Sequence, residues 1–409
     1  MAGLRPTCCS APGKAILFGE HAVVYGYRCL VGAIDLRTTV TVRECQEHSV
    51  TLVAEGLHMS ATWDLSCIED ALRQPAFSEL LIDPPSAVHP PLVDALRCLA
   101  QKANCKAEPS AMSTGSSALV AFLFLFLGIF RDHPQPVVVV VSTRLPIGSG
   151  LGSSGSFAVA LAAALLTSAQ RHAKIPLSEC PRCSGLHAAE FCADQLALIN
   201  QWAYQSERLV HTNPSGVDNT CSTYGGVFVF CKTPQPGQPS CSPLQGASAS
   251  TGFELCIVDT CVPRETKRMV EQVAASRAAQ PGVVNPILAS IDTITTMAAR
   301  LIESQSEARD TLLGSLVELN HLQLSALGLS IDRIEEARAV LKTQGIPAKI
   351  TGAGGGGCLL GVPALHHEQS KVLEALLNQT HRGDSADPHF RVFFATCGCP
   401  GVTQHPLQF

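Results

Sequence analysis

Residues 146–156 have the sequence Pro-Ile-Gly-Ser-Gly-Leu-Gly-Ser-Ser-Gly-Ser, a glycine-rich turn in a chain of 409 residues. The five valines at 137–141 precede the turn and predict a buried strand, and the alanine-rich residues 157–166 after it predict a helix. A turn of this kind presents free backbone N–H groups to a ligand, most often phosphate. The hydroxyls of Ser153 and Ser154 can bind phosphate oxygens or a magnesium ion at the same point.

Several kinds of glycine-rich turn fit parts of this sequence. A Walker A loop ends in Gly-Lys-Ser/Thr, but no lysine lies between Lys106 and Lys174, which excludes that class. The dinucleotide pattern Gly-x-Gly-x-x-Gly is present at 150–155, yet no second strand ending in Asp or Glu follows about 20 residues later. The third pattern is the Pro-x3-Gly-Leu-Gly-Ser-Ser loop of the GHMP kinases, which residues 146–154 resemble at every fixed position. If the turn is considered alone, the alternative to a phosphate-binding loop is an ordinary helix N-terminus made of small residues.

Two more motifs lie near the ends of the chain. Residues 10–21 are Ser-Ala-Pro-Gly-Lys-Ala-Ile-Leu-Phe-Gly-Glu-His, and residues 349–358 are Lys-Ile-Thr-Gly-Ala-Gly-Gly-Gly-Gly-Cys. The GHMP superfamily, which comprises galactokinase, homoserine kinase, mevalonate kinase and phosphomevalonate kinase, carries three motifs in this order. The four glycines at 354–357 predict a close approach of the backbone to another group, because apolar strand-like segments flank them and argue against a linker.

A fourth segment indicates the branch of the superfamily. Residues 207–219 are Glu-Arg-Leu-Val-His-Thr-Asn-Pro-Ser-Gly-Val-Asp-Asn and resemble the signature of the mevalonate kinase branch, as do residues 198–202 and 262–266. The resemblance covers nearly the whole chain. It implies an α+β, two-domain GHMP kinase fold: an N-terminal domain at 1–232, an exposed Pro/Ser/Gly-rich loop at 233–252, and a ferredoxin-like C-terminal domain at 253–409.

The resemblance also implies a reaction, the ATP-dependent phosphorylation of the mevalonate 5-hydroxyl in the synthesis of isoprenoid and sterol precursors. In that reaction Asp218 would accept the hydroxyl proton, and Lys14 would hold Asp218 ionised and lower the pKa of the hydroxyl. Ser154 and Glu207 would hold Mg²⁺ together with phosphate oxygens of ATP. The structural alternatives are a helix-capping Asp218 and a solvated pair of Glu207 with Arg208.

Other residues are implied in binding. The ATP-binding set comprises Lys14, Thr143, Gly148, Ser149, Gly150, Leu151, Gly152, Ser153 and Ser154. The substrate-binding set comprises Glu20, His21 and Thr266, for which a structural histidine and a helix-capping threonine are the alternatives. The sequence departs from the family at Gly155, Ser156 and Phe157, where two alanines and a hydroxyl-bearing aromatic residue are usual. Near residues 55–59 the asparagine that helps the family to bind adenine has no clear counterpart.

Composition restricts the class of protein. A formal net charge of −5 argues against a nucleic-acid surface, and a hydrophobic fraction of 46% is ample for burying cores. The 18 cysteines are scattered through apolar segments without a secretory signal, which predicts buried thiols in a reducing compartment, the cytoplasm. The apolar stretch at 118–130 is shorter than the roughly 18 residues of a membrane-spanning helix, so it predicts a helix in the core and no membrane insertion. Family members are commonly homodimers, and a homodimer is expected here.

Two rival functions remain open from sequence. Phosphomevalonate kinase would need extra Arg or Lys near the pocket, but the first 30 residues contain only Arg5, Lys14 and Arg28. A catalytically silent nucleotide sensor would be expected to lose Lys14 and Asp218, and both are present.

The periodicity of the sequence predicts the main elements. The predicted strands are 40–42, 50–53, 137–141 and 253–258, with a glycine-rich strand pair around 348–362; the predicted helices are 91–104, 117–130, 157–170, 186–206, 265–277, 287–303, 312–327 and 332–344.

Overall fold

The computed structural model describes residues 4–81, 84, 88–107, 112–169, 191–210, 214–232, 240–244, 252–304, 309–362, 370–380 and 389–407. The strands are β1 (Thr7–Phe18), β2 (Arg28–Glu44), β3 (Ser49–Ala54), β4 (Met59–Asp64), β5 (Asn104–Ala107), β6 (Val137–Thr143), β7 (Val227–Cys231), β8 (Ser240–Pro243), β9 (Phe253–Asp259), β10 (Ala348–Ile350), β11 (Cys358–Gly361), β12 (Arg391–Cys397) and β13 (Thr403–His405). The helices are α1 (Leu65–Leu72), α2 (Pro90–Gln101), α3 (Met112–Phe130), α4 (Ser153–Ser168), α5 (Ala193–Val210), α6 (Val217–Tyr224), α7 (Thr266–Ala279), α8 (Pro281–Ser304), α9 (Arg309–Ala326), α10 (Asp332–Thr343) and α11 (Ser370–Thr380).

The first half of the chain builds a sheet in the order β5-β4-β3-β6-β2, in which β3 and β6 are parallel and the other pairs antiparallel. The predicted strand at 137–141 and helix at 157–170 are confirmed as β6 and α4, and the glycine-rich turn joins them. Helices α3, α4 and α5 pack against one another beside this sheet. The glycine-rich turn therefore lies where strand β6 ends and the buried helix α4 begins.

Helix α3 forms the centre of the N-terminal core, which confirms the position predicted for residues 118–130. Its residues Phe122 to Leu127 have no exposed surface. The ring of Phe122 stacks on Trp63 with centroids 5.8 Å apart, and Phe124 meets the edge of Trp202 at 5.7 Å. Within the described part of the chain, no helix has the length and apolarity needed to cross a bilayer.

The second half builds an antiparallel sheet in the order β12-β9-β11-β10. Numbered within this half, β9, β10, β11 and β12 are the first to fourth strands, so the spatial order is 4-1-3-2. Helices α7 to α10 connect the first strand to the second, and α11 lies between the third and fourth. This arrangement is ferredoxin-like, as expected from the sequence.

Strand β2 joins the two halves into one continuous sheet. It pairs with β1, β6 and β7, and at Ile34 with Cys397 of β12. Strand β13, close to the C-terminus, pairs with β1. Residues after 390 therefore return to the N-terminal half, whereas the domain boundaries at 232 and 253 stay a prediction.

The structure adds elements that the sequence patterns did not predict. The N-terminal motif lies mostly on β1, although Pro12 and Gly13 interrupt any regular strand pattern. The predicted exposed loop at 233–252 contains strand β8, which pairs with β7; of the other residues in that loop, only Leu244 and Gly252 are described.

Candidate active site

Strand β1 brings Lys14 to the glycine-rich turn. The register between β1 and β2 shifts between Pro12 and Gly13, where proline cannot donate to the ladder. A Cβ atom on Gly13 would lie 2.7 Å from the carbonyl oxygen of Leu151, so glycine allows the turn to pack directly on the strand. The amide of Lys14 donates to the same oxygen at 2.8 Å. The lysine side chain is thereby fixed beside the turn, and the residue is 7% exposed.

The turn presents its backbone to a cavity. Gly148, Gly150 and Gly152 have φ angles of +80°, +97° and +72°, which residues with a Cβ adopt only rarely, and α4 begins immediately afterwards at Ser153. These glycines, Ser153 and Ser154 line the cavity. The free amides of the first turn of α4 and its helix dipole therefore favour an anion here.

Two residues predicted to bind ATP turn their side chains into the protein. Ser149 is buried and its hydroxyl donates to the carbonyl oxygen of Pro146 at 2.8 Å. Leu151 is fully buried in an apolar cluster with Leu145. Only the backbone of these two residues is placed to contribute to the turn.

Lys14 and Asp218 form an ion pair. The Nζ atom of Lys14 lies 3.3 Å from Oδ1 of Asp218, which belongs to the first turn of α6 and is about one third exposed. The N-terminus of a helix favours a carboxylate. A Cβ atom on Gly155 would lie 2.9 Å from Cβ of Asp218, so the absence of a side chain at 155 lets α4 and α6 approach closely. From sequence, Gly155 is only a departure from the alanine that is usual in the family. The structure shows that this position packs against Asp218.

Ser154 and Glu207 form a second polar pair in the same cavity. The hydroxyl of Ser154 donates to Oε2 of Glu207 at 3.3 Å. Glu207 lies on the buried face of α5 and is 4% exposed, which rules out the solvated surface pair considered from sequence. Burial, and next the negative charge of Asp218, raises the pKa of Glu207 to about 7. A buried carboxylate of this kind gains stability from a nearby cation.

Glu20 is held by the C-terminal half rather than left free. Its carboxylate accepts hydrogen bonds from the ammonium of Lys349 and, at 3.3 Å, from Nδ2 of Asn320. Burial lowers the pKa of Lys349, and the charge of Glu20 opposes that effect. Glu20 also lines the cavity, but both of its oxygens already have partners. No local sequence pattern indicates that Glu20 pairs with Lys349, since the two residues are 329 positions apart.

His21 and Thr266 lie along the same wall of the cavity. The Nε2 atom of His21 donates to the carbonyl oxygen of Ala353 at 2.8 Å, and burial lowers the pKa of the imidazole. Thr266 is the first residue of α7 and Glu265 occupies the N-cap position without a side-chain capping hydrogen bond, so the threonine is not the N-cap residue.

Arg264 is a site residue that no sequence motif indicates by itself, although it lies in the segment 262–266 that resembles the family. A Cβ atom on Gly150 would lie 2.1 Å from Nη1 of Arg264, and one on Gly352 would lie 3.3 Å from the same atom. The guanidinium therefore lies over the turn, between the central and C-terminal glycine motifs. Burial lowers the pKa of Arg264, while the carboxylate of Asp218 raises it.

The four consecutive glycines at 354–357 approach the protein's own chain. A Cβ atom would lie 2.6 Å from the carbonyl oxygen of Leu329 at Gly354, and 2.7 Å from that of Val262 at Gly356. The predicted close approach is confirmed, with other backbone as the neighbour. The four glycines thus allow the C-terminal motif to pack against Val262 and Pro263, the residues just before Arg264.

One cavity of about 870 Å³ is lined by the Lys14–Asp218 and Ser154–Glu207 pairs together with Arg264, Glu20, His21 and Thr266. Its lining also includes apolar residues and hydroxyls, among them Leu52, Ile147 and Phe157. Thr143 lies there at the end of β6, with its hydroxyl 3.0 Å from that of Thr38. The cavity thus combines an anion-binding turn, two charged pairs and an apolar compartment that can accommodate a base.

Comparison with known families agrees with this geometry. Residues 117–226 match the GHMP kinases N terminal domain and residues 303–382 match the GHMP kinases C terminal family. Residues 3–44 match the galactokinase galactose-binding signature, and this range contains all of β1 and β2. The fold, the turn and these matches define the class, a small-molecule kinase of the GHMP type.

Individual relatives narrow the class further. Mevalonate kinase of Mus musculus is 32% identical over 97% of this chain and 94% of its own length, and that of Arabidopsis thaliana is 33% identical over 90% and 93%. The crystal structure of Methanococcus jannaschii mevalonate kinase has the same fold, with a TM-score of 0.66 at 22% identity over 96% of this chain and 98% of that one. The chain belongs to the mevalonate kinase family.

Proposed function

We propose that this protein transfers the γ-phosphate of ATP to the 5-hydroxyl of mevalonate. The observation that carries the proposal is the Lys14–Asp218 pair, 3.3 Å apart, beside an anion-binding turn in one cavity. Phosphoryl transfer asks a protein mainly for positioning, charge neutralisation and a group that handles the proton of the nucleophile. Membership of the mevalonate kinase family supports this hydroxyl as the acceptor.

Asp218 is the proton acceptor in this proposal. Its carboxylate is partly exposed to the cavity, where a substrate hydroxyl can reach it. The ammonium of Lys14 lies 3.3 Å from this carboxylate and stabilises negative charge that develops on the substrate oxygen. The close contact of α4 with α6 at Gly155 holds this pair next to the glycine-rich turn, where the phosphates of ATP would bind.

Ser154 and Glu207 would hold magnesium. A hydroxyl and a carboxylate are oxygen donors of the type that Mg²⁺ prefers, and the raised pKa of Glu207 marks a carboxylate that a cation would stabilise. The described residues contain no group of three or more His, Cys, Asp or Glu suited to a metal, so phosphate oxygens of ATP would complete the coordination. When bound, the ion neutralises charge on the phosphates.

The shared ion can be tested by magnesium titration. Replacing Ser154 or Glu207 by Ala should raise the magnesium concentration needed for half-maximal activity. The double variant should be little worse than the more damaging single one, because the two groups act as a unit. Additive losses with unchanged magnesium dependence would contradict a shared ion.

In this proposal the carboxylate of mevalonate is held by Arg264, His21 and Thr266, which all line the cavity. Among the described residues that line the cavity, Lys14 and Arg264 are the only lysine and arginine. The two positive charges of Lys14 and Arg264 suit a substrate with a single carboxylate, in addition to the phosphate that is transferred. A substrate that already carries a phosphate group would bring more charge than these two cations balance, which disfavours phosphomevalonate.

The deciding experiment is an ATP-dependent assay with coupled detection of ADP, run on mevalonate, phosphomevalonate and galactose. We expect turnover with mevalonate and its loss in Asp218→Asn. Preferential turnover of another alcohol would replace the proposed substrate. ATP binding without turnover on any alcohol would favour the nucleotide sensor.

We also propose a homodimer in the cytoplasm. Helix α9 leaves Leu312, Leu319 and Leu322 exposed, the last at 60% of its surface, and exposed apolar side chains in a row commonly mark an interface. Light scattering after gel filtration should give twice the 43.2 kDa chain mass. Leu319→Glu with Leu322→Glu should return the protein to a monomer if this row forms the interface.

A further inference from the structure

Lys349 begins the C-terminal glycine motif and has no exposed surface. From β10 its ammonium donates hydrogen bonds to Oε1 of Glu20 and, at 2.8 Å, to the carbonyl oxygen of Ile350. Asn320 of α9 donates to the other oxygen of Glu20 at 3.3 Å. Since Glu20 is itself 1% exposed, this is a fully enclosed ion pair between the N-terminal and C-terminal motifs.

Glu20 stands in the middle of an unusual turn. Gly19 has a φ of +93°, and His21 has a φ of +59° with a ψ of −42°, a combination outside the allowed regions for a residue with a Cβ atom. Such a conformation persists only where the surroundings fix it. Two anchors fix it here, Glu20 to Lys349 and His21 to the carbonyl oxygen of Ala353, and both come from the same short segment of the C-terminal motif.

We propose that Lys349 is a positioning residue for substrate binding, which holds the turn at Gly19 to His21 in its strained conformation through Glu20. This turn supplies one wall of the cavity, with Glu20, His21 and Val24 along it. The inference rests on the proposed function, because the ligand of this wall is taken to be mevalonate. Since the Lys349 ammonium is fully enclosed, its effect on the ligand passes through Glu20 and the turn. Its loss should therefore weaken mevalonate binding more than it slows phosphoryl transfer.

The test uses Lys349→Met, Glu20→Gln and the double variant. Methionine keeps most of the length of the lysine side chain and removes the charge. Arg338→Met is the matched control, because Arg338 donates at 2.8 Å to the carbonyl oxygen of Ala348, the residue before Lys349, and pairs with Glu318 at 2.7 Å. The control thus loosens the same strand without touching the turn. KM for mevalonate, KM for ATP, kcat and stability in urea are measured for each protein.

Comparing stability with the KM for mevalonate distinguishes a positioning role of Lys349 from a role in folding alone. Lys349→Met leaves a buried carboxylate unpaired and should lower stability, whereas the double variant removes both charges and should recover much of it. The KM for mevalonate should rise about tenfold in all three variants of the pair, with smaller changes in kcat and in the KM for ATP. Arg338→Met should keep the wild-type KM for mevalonate. A double variant that regains both wild-type stability and wild-type KM would show that Lys349 serves folding alone.

A second measurement does not depend on the substrate. Hydrogen exchange followed by mass spectrometry should be faster for the peptide 19–25 in Lys349→Met and in the double variant, and unchanged in Arg338→Met. Unchanged exchange in all variants would overturn the inference whatever the activity. Faster exchange in a protein that fails to phosphorylate mevalonate would overturn the proposed function and leave the positioning role of Lys349 supported.

Discussion

Replacing Glu207 by Gln should make the protein more stable at alkaline pH while removing its activity. The side chain is 4% exposed, and burial together with the charge of Asp218 raises its pKa from 4.5 to about 7. In the unfolded chain the group titrates near its ordinary value. Between the two pKa values the folded protein binds more protons than the unfolded one, so the free energy of unfolding falls as the pH rises. The stability that protonated Glu207 contributes is therefore complete below pH 4.5 and is lost as the pH rises through about 7.

The magnitude follows from the same values. At about 1.4 kcal/mol for each pH unit between 4.5 and about 7, ionised Glu207 costs the folded state about 3 kcal/mol at pH 8. A glutamine has the same shape and no charge to ionise. Glu207→Gln should therefore match the wild type near pH 4.5 and exceed its free energy of unfolding by up to about 3 kcal/mol at pH 8.

Urea denaturation from pH 5 to 8, with a chelator present to keep cations from the site, measures this difference. Glu254→Gln is the control, because Glu254 lies exposed on β9 and shares the chemistry of the substitution. The difference between the two variants should grow with pH. A Glu207→Gln protein that is equally or less stable than the control at pH 8 would refute the reasoning that burial destabilises this carboxylate.

Three further substitutions test the reacting pair. Asp218→Asn should lower kcat by about 10²–10⁴-fold with little change in ATP binding, and a variant that keeps half of the wild-type kcat would contradict its role as base. Lys14→Met should slow single-turnover transfer at saturating ATP and mevalonate; a normal rate with only a raised KM for ATP would assign the lysine to nucleotide binding. Gly155→Ala would place a Cβ atom 2.9 Å from that of Asp218, so kcat should fall while ATP binding persists. An unchanged kcat would show that α4 and α6 can separate without disturbing the pair.

The glycine-rich turn could be located from sequence because its neighbours carry strong local patterns. The valines of β6 and the alanines of α4 gave the strand, the turn and the helix with boundaries within a few residues. Strand β1 was not predicted, since Pro12 and Gly13 break the alternation that marks a strand. The strand forms because β2 pairs with it from Thr7 to Phe18 and β13 pairs with it at Cys8 to Ser10, and no local sequence pattern indicates either partner.

The resemblance to a family indicates which residues form the site, but not which other residues hydrogen-bond to them or pack against them. Glu20 lines the cavity, as a substrate-binding residue would, but its partners Lys349 and Asn320 lie in the C-terminal half, 329 and 300 positions away, so no local pattern indicates them. The significance of Gly155 depends on the position of Asp218, 63 residues later, and only packing shows it. Arg264 lies in a segment whose likeness to the family was noticed, yet its place over the turn follows from the fold of the C-terminal half.

The contact between Glu20 and Lys349 also sets when this protein can become active during its synthesis. A ribosome that has just completed β1 must add about 330 further residues before the partner lysine exists, on the order of half a minute at typical rates of translation. Strand β1 likewise lacks β13, and β2 lacks β12, until the last part of the chain emerges. During that interval the nascent chain has unpaired strand edges and a binding wall without its anchors, so the N-terminal half depends on protection from aggregation until the C-terminal residues arrive.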